Sequence, residues 1–167
     1  FFVSAEQWLR AGVDGSPALG YLKPMIRSAR LEALRYDEAL RIGEDYDLVL
    51  RLLLDGASLL VVPEPFYLYR RHSGSISHRL PVADMEAMIA RQAALVDAHA
   101  PLNPILSTAF AQRLRNLQQG LGYERLVESI KARRWPAALA ALAGNPGHVA
   151  RLWRSFSEGR TRRQALP

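Results

Sequence analysis

Between Gly43 and Gly56 the chain reads GEDYDLVLRLLLDG, and this stretch restricts the fold more than any other. Leu48, Leu52 and the Val49/Leu53 pair recur at spacings of three and four, which makes one apolar helical face. Gly56 is placed to close the helix in a left-handed turn. The pattern predicts a helix from Glu44 to Asp55 that must bury its apolar face against another element. Three carboxylates, Glu44, Asp45 and Asp47, crowd its first turn. Acids there are stabilised by the helix macrodipole by roughly 0.3–1 kcal/mol each. Asp47 stands four residues before Arg51, the spacing of an exposed helical ion pair worth about 0.3–0.5 kcal/mol. Asp45 and Asp47 are not a shared metal site, because residues i and i+2 of a helix point about 200° apart. Asp45 follows a glycine and opens the helix, so it can project into a cleft above a sheet, where α/β proteins place their ligands.

The elements around this helix change character along the chain. SAEQWLRAG predicts a short helix with Ser4 as N-cap, Gln7 as its capping-box partner and Gly12 at its end. VDGSPALGY is loop chemistry. LKPMIRS fits a short strand with Pro24 at its edge or start, and ARLEALR one or two helical turns. ASLLVVPEPFYLYRRH reads as two strands broken by Pro-Glu-Pro. Past Pro81 the pattern is helical throughout, over about 82–99, 103–120, 122–134, 136–143 and 147–158, with Gly and Pro as the breaks. The organisation predicted is an α/β part over residues 1–80 and an all-α part over 81–167.

With 167 residues and 49% hydrophobic content the chain can build a real core. It has no cysteine, which removes disulfides, thiolate metal sites and a cysteine nucleophile, and fits a cytoplasmic setting. No apolar run approaches the ~20 residues that cross a bilayer. The first residue is Phe1 rather than Met, so a longer parent protein is expected. The net charge of +6 is uneven: residues 131–167 carry eight basic groups and one acid, while the rest is close to neutral. A basic end points to an anionic partner such as lipid headgroups, diphosphate or nucleic acid.

A second constellation is YLYRRHSGSIS, from Tyr67 to Ser77. Arg70, Arg71 and His72 end a strand and enter a Ser/Gly loop. Guanidinium, imidazole and backbone amides in one place suit a diphosphate, and a neutral imidazole can complete a metal shell. The plainer alternative is a solvated basic strand end.

Residues 16–80 hold four blocks in one order: a loop with Gly20 before KPMIRS, then YDEAL, then GEDYDLVLRLLLDGA, then VPEPFYLYRRHSGSIS. In this they resemble the second half of the catalytic domain of glycosyltransferase family 2, which has the GT-A fold, a Rossmann-like α/β architecture. The likeness is greatest to bacterial enzymes of exopolysaccharide synthesis, succinoglycan among them. The resemblance implies an inverting hexosyl transfer from a nucleotide-sugar to a glycan acceptor, lipid-linked in such pathways. It makes Asp45 the general base and Glu44 its orienting or acceptor-contacting partner. It places His72 at a divalent metal (Mg2+ or Mn2+) or the leaving diphosphate, Arg70 and Arg71 beside that diphosphate, and Gly20 in a mobile loop by the substrates. The family's D-x-D metal motif and nucleotide-binding strands should precede the acidic block by about a hundred residues, but only 43 stand there. The chain therefore resembles an acceptor half without its donor half, and is expected to be inactive alone.

In the basic tail, SIKARRWPAALAALAGNPGHVARLWRSFSEGRTRR interleaves arginine with Trp135, Trp153 and Phe156. Two readings fit: a segment lying peripherally on an anionic membrane at the inner face of the plasma membrane, or indoles packed between helices with solvated arginines. A rival to the enzyme reading is a non-catalytic basic helical module that binds membrane, nucleic acid or a partner protein. With the resemblance, nucleic acid is not the expected partner.

Overall fold

The computed structural model describes residues 1–13, 24–32, 34–64 and 80–153. The chain forms two compact units, Phe1–Gln118 and Gln119–Pro167. The first contains β1 (Phe2–Val3), α1 (Ala5–Arg10), a single 3₁₀ turn (Ser28–Leu31), α2 (Glu44–Leu54), β2 (Leu59–Leu60) and α3 (Val82–Ala98). Helix α4 (Pro104–Lys131) begins in the first unit and ends in the second, which also holds α5 (Trp135–Gly144) and the helical residues 147–153.

Local chemistry starts the helices where the sequence predicts. Ser4 accepts from the Gln7 amide while the Gln7 side chain accepts from the Ser4 amide, so the capping box of α1 is closed on both sides. Asn103 caps α4 by accepting from the Leu106 amide at 2.9 Å, with Pro104 as the first helical residue. Helix α2 ends at Gly56, φ +77°, where the amides of Gly56 and Ala57 bond back to Leu53 and Leu52.

The core of the first unit joins β1, α1, α2, α3 and α4 through Val3, Trp8, Leu9, Val49, Leu50, Leu95 and Phe110. Helix α2 is embedded more deeply than its amphipathic pattern predicts. Residues 47–50 are all buried, and four consecutive residues cover the full helical circumference. This helix is a central post, and Asp47 goes inside with it.

Among the described residues, strands are scarcer than predicted. The described sheet has two strands of two residues each, paired antiparallel as Phe2↔Leu60 and Val3↔Leu59. The described residues are mixed α/β but mostly helical, without the parallel strand series of a Rossmann-like domain. Residues 24–27, predicted to be strand, are irregular and lead into the 3₁₀ turn. Pro24 has no amide to give a ladder, and no neighbouring described strand pairs there. The second predicted strand, residues 66–72, lies outside the described residues.

The helical character after Pro81 is present, with one correction. The segments predicted at 103–120 and 122–134 are a single helix, because Gly120 and Gly122 do not break it. A helix-interior glycine costs only about 1 kcal/mol against alanine. At Gly122 the missing side chain also has a use, since a Cβ would come within 3.2 Å of Nε2 of buried His148. Helix α4 stops instead at Arg133, φ +56°, where the amides of Arg133 and Arg134 bond to Ile130 and Ser129. A non-glycine residue in this left-handed conformation costs about 1–2 kcal/mol.

The turn into α2 needs its glycine. Gly43 has φ +83°, and a Cβ there would meet Met88 Cε at 3.2 Å. Gly43→Ala should destabilise the first unit by about 1–2 kcal/mol, nearly all of it backbone strain, as read from urea unfolding.

Candidate functional site

The acidic start of α2 is held from several sides. Trp8 of α1 stacks on Tyr46 with ring centroids 5.4 Å apart, and its indole N–H donates to the Tyr46 carbonyl at 3.2 Å. The Arg113 guanidinium of α4 sits 4.5 Å from the centre of the same tyrosine ring. Helix α3 contributes a stripe at spacings of four and three: Asp84, Met88 and Arg91. Asp84 pairs with Arg41 at 2.9 Å, Met88 covers Gly43, and Arg91 reaches Asp47 at 3.0 Å and Asp37 at 3.2 Å.

Asp47 is the centre of this arrangement. Arg51 Nε donates to one of its carboxylate oxygens at 2.7 Å and Arg91 Nε to the other at 3.0 Å. Arg51 also donates to the Arg35 carbonyl at 2.6 Å. The i,i+4 pair predicted from sequence exists, but it is not an exposed surface pair. It is the buried half of a network that also takes in Arg91 and Asp37. A buried carboxylate without such partners would face a desolvation cost of several kcal/mol.

The other two acids face outward. Glu44 is half-buried and Asp45 exposed, and an Asp45 oxygen accepts from the Tyr46 amide at 2.7 Å. The two acids singled out by sequence thus stand together on the first turn of a fixed helix, with Asp45 open to solvent. The small cleft lined by Gly43, Tyr46, Asp47, Met88, Arg91 and Gln92 is about 20 Å³. That is room for about one water, far too small for a sugar. A ligand for Asp45 must therefore come from the solvent side. A larger groove of about 470 Å³ runs past Phe2, Met25, Arg27, Arg30 and Leu53, and neither Glu44 nor Asp45 lines it.

Gly20, Arg70, Arg71 and His72 lie outside the described residues. Among the described residues no group of three or more His, Asp or Glu side chains is arranged to hold a metal ion. The contribution of α3 is what sequence reasoning missed. Its signal was present: Arg91 is the one basic residue in α3, on the same stripe as Met88. Nothing local, however, ties that stripe to α2.

Over 129 residues the chain is 36% identical to the succinoglycan biosynthesis protein ExoO of Rhizobium meliloti, an alignment that covers 76% of this chain and 37% of that protein. Over 65 residues it is 46% identical to the succinoglycan biosynthesis protein ExoU of the same organism, covering 36% of this chain and 19% of the relative. The chain thus spans little more than a third of the length of the first relative. No family model matches the chain. No solved structure matches it either.

Two predictions follow from the contrast between the acids and from Tyr46. Asp47→Ala takes the shared carboxylate from two guanidinium groups, leaving Arg51 the Arg35 carbonyl and Arg91 only Asp37, and should cost about 3 kcal/mol, whereas Asp45→Ala should change stability by less than about 1 kcal/mol. Urea unfolding of both variants checks this. Burial raises the Tyr46 hydroxyl to about 12, against a smaller opposing pull from Arg113. Its folded value lies above its unfolded value near 10, so the unfolded chain loses the proton first. Stability should therefore be intact below pH ~10, fall by roughly 2–3 kcal/mol between pH ~10 and ~12, and then level off. Tyr46→Phe should flatten that decline.

Proposed function

We propose that this chain is the acceptor-side part of an inverting glycosyltransferase of exopolysaccharide synthesis. The observation that carries the reading is the 36% identity over 129 residues to a protein named for succinoglycan biosynthesis. The order of sequence blocks around Glu44 and Asp45 supports it, as does the exposed position of Asp45 on a helix whose first turn is fixed.

In this reading Asp45 is the general base. Its carboxylate takes the proton of an acceptor hydroxyl as that oxygen attacks the anomeric carbon of a nucleotide-sugar. The new glycosidic bond forms on the face opposite the breaking bond to the diphosphate, which inverts the anomeric centre. The leaving group departs as nucleoside diphosphate with its electron pair. Glu44 orients the acceptor beside Asp45. A carboxylate is useful here only if it does not drift, and the clamp on α2 supplies that fixity. Arg70, Arg71 and His72 would serve the diphosphate and its divalent metal, and Gly20 the loop over the substrates. The nucleotide would be held by sequence outside this chain.

In the enzyme complete with its nucleotide-binding part, Asp45→Asn should lower transfer by about a hundredfold to ten-thousandfold and leave nucleotide-sugar binding intact. A coupled assay for released nucleoside diphosphate, with calorimetric titration of the donor, reads both. Normal transfer by the variant would remove Asp45 from the role of base. The 167-residue chain alone should show no transfer in the same assay, and robust turnover would refute the division into halves.

A further inference from the structure

Helix α5 breaks the rule that governs the other helices. Its sequence, WPAALAALAG, has no charged side chain and is apolar all round. A helix of that kind is normally buried. Here Ala138 alone is buried and Ala141 and Leu142 are half-buried, while the remaining positions are exposed. Trp135 is 58% and Leu139 66% exposed, and their i,i+4 spacing puts them on one face. The helical residues 147–153 repeat the arrangement, with Val149 56% and Trp153 78% exposed at the same spacing. The two indoles are thus not packed between helices, which was one of the two readings open from sequence.

The charged residues that link the end of α4 to α5 have one sign. Lys131, Arg133 and Arg134 immediately precede α5 and are all exposed, and none forms an ion pair among the described residues. Arg133 holds the left-handed position that ends α4, where glycine would be easier. The result is a cationic step leading directly into an uncharged helix that begins with tryptophan.

We propose that α5 and its preceding basic turn form a docking surface for an anionic lipid bilayer, with Trp135, Leu139 and Trp153 entering the headgroup–acyl boundary and Lys131, Arg133 and Arg134 facing lipid phosphates. Tryptophan is suited to that boundary because its ring is apolar and its N–H can stay wet. Ten residues of helix span about 15 Å, half of a hydrocarbon core, so α5 lies along the surface and does not cross it. Among the described residues no helix is long and apolar enough to cross a membrane. The surface needs both parts, since exposed apolar area alone would not select charge and arginines alone would not insert. The inference stands independently of the proposed chemistry at Asp45.

The test is co-sedimentation of the purified protein with vesicles of phosphatidylcholine alone and of equimolar phosphatidylcholine and phosphatidylglycerol, with tryptophan emission recorded. Binding to the anionic vesicles only, with a blue shift, is expected. Arg133→Gly removes a charge and relieves the strained turn, so it cannot act by unfolding the protein; it should weaken binding about fivefold. Trp135→Ala should weaken it about tenfold and reduce the blue shift, with unchanged circular dichroism. Equal binding to neutral vesicles, no binding, or variants that bind like the parent would overturn the proposal. So would concentration-dependent dimers in sedimentation without vesicle binding, which would mean that a second copy covers α5.

Discussion

The buried charge of Asp47 is the constraint on which the first unit depends. A carboxylate taken inside a protein must be met by cations and hydrogen bonds, or it costs more than the helix carrying it contributes. Arg51 comes from the same helix and can supply one partner locally. The other oxygen is met by Arg91, which arrives only if α3 lies against α2. The same approach brings Asp84 to Arg41 and Met88 over Gly43. Docking of α3 is therefore not an addition to a finished fold. It completes the electrostatics of α2, and the position of the acidic first turn follows from it.

What was legible in the sequence was what short-range physics decides. The capping box of α1, the limits of α2 between Gly43 and Gly56, and the span of α3 all rest on contacts within four residues, and all are present. The continuity of α4 is not legible locally, because a glycine looks like a breaker until its packing partner is known. At Gly122 that partner is His148, 26 positions away. The 24–27 stretch has strand-like sequence but is irregular, because β propensity needs a neighbour to pair with, and no described strand lies there. For the site, the placing of Glu44 and Asp45 on one helical turn was readable from the glycine and the period. The burial of Asp47 was not, because its second cation lies 44 residues on.

Helix α5 is the opposite case, where local and tertiary signals disagree. Composition alone says that an all-apolar helix belongs inside, yet its side chains face solvent. A left-handed arginine at its approach is a second local rule broken within three residues. Such conflicts collect where a surface serves something other than the fold. They are more informative here than the net charge of the tail, which by itself suits several kinds of anionic partner.

Asp45 and Asp47 show how one helix turn can hold two acids without confusing them. They are two residues apart, so their side chains leave the axis about 200° from one another. One points into the unit, where two arginines fix it; the other points to solvent. A proton acceptor must be accessible to its substrate, and the Asp47 carboxylate is enclosed between two guanidinium groups. A structural anion needs that enclosure. The register of α2 separates the two demands. In the proposed mechanism the rigidity that Asp45 requires is supplied by its neighbour two residues on, and by the helix from the other side of the sequence that neutralises that neighbour.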